Sequence, residues 1–456
     1  MRIADEGYAV TDHYPEIHPD NTVFVFVSFE GPDRYSLAGG LGVRVSELGE
    51  VLARQGYQTH LIFVGEPSAE AHEVLWDGRL ALWRVCQEIS CHMRAGVYEG
   101  EQAKLERFQQ VVPSLILERI ARPAATTDQL LVVIGEDWHA AATMSAISDV
   151  LYWNGLRRRA ILLWNANNTF GFDQINWARL AFTCQIMTVS RYMKQRMMPL
   201  GVNPLVVPNG IPGRHLEPVS DELVECFQQQ FAGRLTLTKF ARFDPNKNWL
   251  QAMQAVTRFK ALGLRPLFFM RGGVEGYGHE VLSEIDKLGL RRCDLRLVNP
   301  APARFLEAVA ELPECDLIFM RFFVPEDVQR LLYRACDAVL ANSGHEPFGL
   351  VGLEVMAAQG IAITGSTGED YAQHLLDAVV LDTDDPSEIV GSLLYLRSHP
   401  ELAEDIRRVG GLTSRFYVWE TVLQKLISKL QYLVMTENAV FRGNNRLRSS
   451  DPPADE

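Results

Sequence analysis

Short apolar runs alternate along this chain with stretches whose apolar residues recur at helical spacing. Residues 21–29 (NTVFVFVSF) form a β-branched and aromatic run of the kind that makes a buried strand. Val45, Leu48, Val51 and Leu52 then share one helix face, and residues 60–64 predict a second strand. Strand, glycine loop, helix and strand in that order make a βαβ unit, the building block of a parallel sheet. Residues 130–134, 161–164 and 186–189 predict further strands of that sheet, with a helix over 176–182. The phrase Val206-Val207-Pro208-Asn209-Gly210-Ile211-Pro212 has turn residues, two prolines and no helical period, and it marks a domain boundary. Beyond it the alternation restarts, with strands expected at 234–240, 266–270, 294–298, 338–340 and 361–364. Helices are expected at 247–262, at 279–289 and after Phe348. In a last amphipathic stretch, 419–433, Val422, Leu423, Leu426, Ile427, Leu430 and Leu433 fall on one face.

The pattern predicts an N-terminal extension (1–20), an α/β domain (21–208), a second α/β domain (209–415), a closing helix (416–435) and a disordered polar tail (436–456). The length of 456 residues agrees with two domains of about 200 residues each. With 47% apolar and 22% charged residues, the composition is that of a globular protein. A net charge of −13 argues against broad nucleic-acid binding, which needs a basic footprint. The seven cysteines are scattered and contain no C-x-x-C pair, which gives no zinc signature and suits a reducing compartment. The start has neither the basic nor the apolar region of a secretory signal, and no apolar run is long enough to span a bilayer. A cytoplasmic location is the expectation.

The densest chemistry lies at Gly344-His345-Glu346-Pro347-Phe348-Gly349-Leu350-Val351-Gly352-Leu353-Glu354. Two carboxylates, Glu346 and Glu354, stand eight residues apart, one before a predicted helix and one inside it. The start of a helix offers free N–H groups and a positive dipole end for phosphate oxygens, and carboxylates accept bonds from sugar and ribose hydroxyls. A loop glutamate with a solvated helix glutamate is the plainer reading. Arg242 and Lys247 flank an Asp-Pro-Asn turn after the first strand of the second domain, and both suit either a diphosphate or a solvated surface turn. The loop Gly39-Gly40-Leu41-Gly42 is an anion-approach loop or a tight turn, and it is not the G-x-G-x-x-G of dinucleotide folds. The glycine-dense loop from Arg271 to Gly278 either shapes a ligand site or supplies flexibility. Asp137 and His139 end one first-domain strand and Asn165 the next, where open α/β sheets place ligand groups; a capping aspartate and a buried histidine are the alternatives. Asp385-Pro386 reads as a helix N-cap with proline at N1 and not as a metal site.

In this order the motifs resemble the retaining glycosyltransferases of GT-B fold, family 4 type, the group that includes the glycogen and sucrose synthase relatives. The resemblance spans about 21 to 435. It implies two Rossmann-like domains facing across a cleft, a C-terminal helix crossing back to the first domain, and transfer of a hexosyl group from a nucleoside diphosphate sugar to a hydroxyl acceptor. It also implies roles. Glu354 would bind the donor ribose, and Glu346 the donor sugar, aided by the backbone of Phe348, Gly349 and Leu350. Arg242 and Lys247 would neutralise the leaving diphosphate, and Gly40 would add an N–H. Asp137, His139 and Asn165 would meet the acceptor. Neither a metal nor a cofactor beyond the nucleotide-sugar is implied, and retention would come from front-face attack.

Two positions depart from the family. Glycogen and starch synthases carry a lysine two positions before Gly-Gly-Leu, and here that position is Leu37, which counts against an ADP-glucose polymer synthase. Many relatives also place a histidine after the strand that ends near Trp164, where this chain has asparagines. A sugar-nucleotide epimerase of related fold and a non-catalytic nucleotide-sugar-binding protein are the rival readings.

Overall fold

The computed structural model describes residues 16–365 and 367–448, of which 436–448 by backbone alone. The chain divides into two compact units: residues up to 165 with 170–186 and those from 423 on, and residues 166–169 with 187–422. That division falls at 186/187, ahead of the Val206–Pro212 phrase, and again inside the last helix, Trp419–Arg448, after Val422.

The first sheet comprises β1 (Thr22–Val27), β2 (Gln58–Val64), β3 (His72–Leu75), β4 (Leu80–Val85), β5 (Leu130–Glu136), β6 (Ala160–Ala166), β7 (Gln185–Thr188) and β8 (Leu205–Val206). Its order is β3-β4-β2-β1-β5-β6-β7-β8, and β3 joins β4 antiparallel while β1 pairs in parallel with β2 and β5. Every residue of β1 is buried, as expected where helices cover both faces of a parallel sheet. The Gly40–Arg54 helix turns Val45, Leu48, Val51 and Leu52 inward, the face the spacing predicts.

The second sheet comprises β9 (Leu235–Phe240), β10 (Pro266–Arg271), β11 (Arg292–Leu295), β12 (Leu317–Met320), β13 (Ala338–Ala341), β14 (Ala362–Thr364) and β15 (Val379–Val380). Its order is β11-β12-β10-β9-β13-β14-β15, and all of its pairs are parallel. Alternate side chains of β10 serve two cores. Phe268 and Met270 pack with Trp249 and Ile285, while Leu267 and Phe269 pack with Phe305 and Leu331. The sequence reading placed a strand at 294–298; β11 lies two residues earlier, and β12 was not foreseen.

The Pro208-Asn209-Gly210-Ile211 phrase is held by the start of the last helix. Ile211 N–H donates to Tyr417 O at 2.9 Å, and Trp419 N–H donates to Ile211 O at 3.1 Å. Gly210 lies so close to the Trp419 ring that a Cβ would sit 2.6 Å from it, which is why glycine stands there. The last helix continues to Arg448, so residues 436–448, expected to be disordered, are helical, and 449–456 lie outside the described residues. Of the expected N-terminal extension, 1–15 also lie outside the described residues. Ile17 is buried, with its N–H donating to Gln431 Oε1 at 2.9 Å. Among the described residues no helix is long and apolar enough to cross a membrane.

Candidate functional site

In the second unit, β9 and β13 are parallel neighbours, with Ala338 opposite Leu237, so the loops leaving their C-terminal ends emerge side by side. Asp244 shapes the first loop, its carboxylate accepting from Asn246 N–H at 2.8 Å, and a single 3-10 turn, Pro245–Lys247, follows. The second loop is bound to it. Gly344 N–H donates to Asn246 O at 2.8 Å, and Asn342 Nδ2 donates to Asn248 O at 3.3 Å. The Lys247 ammonium and the Glu346 carboxylate form an ion pair, each side chain about one-fifth exposed (21% and 19%). Arg242, on the same loop as Lys247, is exposed and has no ion pair among the described residues.

Beneath this pair lies Lys239, a cation the sequence reading passed over. It is fully buried in β9, with Nζ 2.6 Å from Asn342 Oδ1, 3.1 Å from Leu340 O and 5.4 Å from the Trp249 ring centroid. Burial pushes its ammonium down to about 7; nearby Lys247 adds to the fall and Glu346 opposes it. The one visible signal was a lysine inside an otherwise apolar and threonine-rich strand, LTLTKF.

Glu354 sits half-buried in the Leu350–Ala357 helix, and its Oε2 accepts from Gln329 Nε2 and Tyr333 OH, each at 3.4 Å. Gln329 in turn lines a cavity of about 240 Å³ together with Arg242, Arg271, Gly273 and Phe323. Arg242 and Glu354 are thus brought to one place through Gln329. A second cavity of about 480 Å³ shares Arg271, Gly273 and Phe323 and is walled by Phe243, Phe319 and Phe322, with Arg321 and His279 among its polar groups. The glycine-dense loop therefore shapes a cavity.

The Pro347-Phe348-Gly349 turn rests on a loop that sequence reasoning missed, the one after β14. Thr367 Oγ1 accepts from Glu346 N–H at 3.0 Å and donates to Gly344 O at 3.1 Å. Tyr371 OH donates to Gly349 O, and the buried Phe348 ring lies 5.7 Å from Tyr371 and 6.3 Å from Tyr417. A Cβ on Gly349 would fall 2.2 Å from Glu369 Oε1, so the carboxyl of Glu369 packs directly on the helix N-cap. Leu350 opens the helix, and its N-cap, Gly349, has no side chain with which to cap it.

The first unit treats its charges differently. Gly39 and Gly42 both donate their N–H to the buried Glu30, at 2.9 and 3.1 Å, so an internal carboxylate occupies the turn into the Gly40–Arg54 helix. Gly40 itself is exposed, and a Cβ there would meet nothing within 4 Å. Asp137 is nearly buried and holds a left-handed φ of 58°, a strained conformation that marks the end of β5. His139 lies in the core, Nε2 2.7 Å from Glu101 Oε1 and its ring stacked on Phe29 at 4.3 Å. Its Nδ1 is enclosed without a partner, and burial lowers its basicity. Asn165 is fully buried, donating to Glu136 Oε2 at 2.8 Å, and Glu136 is paired with Arg44 at 3.3 Å. An acceptor role for His139 and Asn165 meets a structure in which both side chains already face inward.

With this geometry in place, comparison with known proteins shows the fold. Residues 298–410 match the family model described as glycosyl transferases group 1, a stretch that contains Glu346, Glu354 and Glu369. None of the curated proteins compared matches the sequence. A glycosyltransferase of Rickettsia africae superposes with a TM-score of 0.64 at 13% identity, over 91% of this chain and 99% of that one. The sucrose-phosphate synthase of Thermosynechococcus elongatus gives 0.64 at 14% identity, over 91% and 100%. HepE of Anabaena, solved in complex with UDP, gives 0.60 at 13% identity, over 90% and 100%. The chain has the GT-B fold, and residues 298–410 of its second unit are similar to the group 1 glycosyl transferases.

Proposed function

We propose that this protein is a retaining glycosyltransferase that moves a hexosyl group from a nucleoside diphosphate sugar to a hydroxyl acceptor. The observation that carries the reading is the pairing of Lys247 with Glu346 at the ends of neighbouring strands, with Arg242 exposed on the same loop. Without ligand the two charges neutralise each other. When a donor enters, its diphosphate takes Lys247 and Arg242, and Glu346 turns to hydroxyls of the sugar. Charge that builds on the departing phosphate then meets cations already in place, which lowers the barrier without reorganisation at the moment of reaction. The ribose goes to Glu354 beside the smaller cavity, and the aromatic walls of the larger one suit a flat base. Phe348, Gly349 and Leu350 contribute backbone groups. Neither a metal nor a further cofactor enters the scheme, since side-chain cations and a helix N-terminus supply the positive charge.

UDP-, GDP- and ADP-hexoses incubated with a panel of hydroxyl acceptors test this reading. Release of nucleoside diphosphate with an α-linked product from an α-linked donor is the expected result. Epimerised donor in the absence of acceptor, or binding with no turnover on any acceptor, would replace it with an epimerase or a sensor.

A further inference from the structure

Glu369 is a buried carboxyl at this site that forms no ion pair among the described residues. It lies on the loop between β14 and β15, nearly all of its surface buried, and Oε2 has no hydrogen-bond partner. Oε1 packs against Gly349, the N-cap of the Leu350–Ala357 helix. The surroundings are acidic. Glu346 faces Glu369 from the β13 loop, and Asp370 and the Tyr371 hydroxyl share its own loop; Lys247, on the β9 loop, is the one cation acting on it, and it is already paired with Glu346. A carboxylate buried there with one oxygen left unbonded is disfavoured, and burial followed by Glu346 pushes this carboxyl well above the usual carboxylate range, against the opposing pull of Lys247 and a backbone N–H.

We infer that Glu369 is a binding residue for the anionic part of the donor, acting as a neutral acid whose O–H hydrogen-bonds a phosphate oxygen at the start of the Leu350–Ala357 helix. The inference rests on the donor site proposed above. An ionised carboxylate at that place would repel the diphosphate, whereas a protonated one adds a donor beside the N–H groups at the start of the helix, which its glycine N-cap leaves without a capping side chain of its own. Gly349 then has two functions: it admits the carboxyl, and it leaves the helix start open. No proton is transferred, and the group returns unchanged when the nucleotide leaves.

The test compares wild type, Glu369→Gln and Glu369→Ala for binding of UDP, ADP and GDP and of the matching nucleosides. Loss of one charge-assisted hydrogen bond predicts that Glu369→Ala weakens the best diphosphate about tenfold or more while the nucleoside changes less than about threefold. Glu369→Gln, which keeps an N–H donor there, is expected to recover most of that loss. Infrared spectra of the wild type at neutral pH should show a protonated carboxyl band that Glu369→Gln lacks, a readout that holds even if the alanine variant fails to fold. Tighter diphosphate binding by Glu369→Gln, an equal loss for diphosphate and nucleoside in Glu369→Ala, or no such band would each overturn the inference. A wild type that binds none of the three diphosphates fails earlier, at the donor site itself, and takes the inference with it.

Discussion

The two sheets end in charged residues of similar kinds and use them in opposite ways. Where β1, β5 and β6 end, Glu30, Glu136 and His139 are buried and engaged with the unit's own groups: N–H groups of Gly39 and Gly42, Arg44 with Asn165, and Glu101. Where β9 and β13 end, Arg242 is exposed, Lys247 and Glu346 are partly open, and the helix that follows begins at a glycine N-cap with no capping side chain. Charges satisfied internally hold a fold, whereas charges left half-satisfied at a surface are available to a ligand. On the proposed reading, the second unit holds the anion site and the first is a frame.

Substitutions can break that contrast. The largest effect is expected from Arg44→Met, which leaves Glu136 charged, buried and short of its ion-pair partner. It should cost about 3–5 kcal/mol of stability by urea unfolding, while donor affinity of the folded fraction stays within about twofold. Lys247→Ala should do the reverse, lowering kcat by about 10²–10³ with little change in unfolding midpoint. Unchanged turnover would remove the cationic site from the mechanism. Glu354→Ala follows, weakening donor binding about tenfold in calorimetry with a smaller effect on the chemical step. The smallest effect concerns Lys239. Its folded ammonium ionises at about 7 and the unfolded one near the ordinary lysine value, so the unfolded chain binds more protons between the two. That contribution to stability should rise with pH across this window, by at most about 1.4 kcal/mol per pH unit, and Lys239→Met should flatten the slope.

Much of the architecture was legible because it is local. The runs 21–29 and 60–64 and the spacing of Val45, Leu48, Val51 and Leu52 report directly on β1, β2 and the helix between them. The Asp385 cap was legible too, with its carboxylate accepting from Ser387 N–H at 2.8 Å. β12 escaped notice because four consecutive apolar residues show no alternation, and the β3–β4 pair because its outer strand is largely exposed. At the proposed site, Arg242, Lys247, Glu346 and Glu354 were singled out by their motifs and given roles by the resemblance those motifs carry. Glu30, Lys239 and Glu369 did not, since their importance comes from residues far along the chain that folding brings to them. His139 and Asn165 read as ligand groups from their strand-end positions, yet tertiary packing turned both inward.

Lys239 has a consequence for how any ligand of this unit would be measured. An amine that ionises near neutrality, shielded from water under the proposed docking place for anions, gains affinity for hydrogen ions as soon as negative charge arrives above it. Occupation of the site would then draw protons from the buffer. Calorimetric heats recorded at pH 7.5 would differ between Tris and phosphate by an amount set by the buffers' own ionisation enthalpies, and a lysine-to-methionine change at that position would abolish the difference.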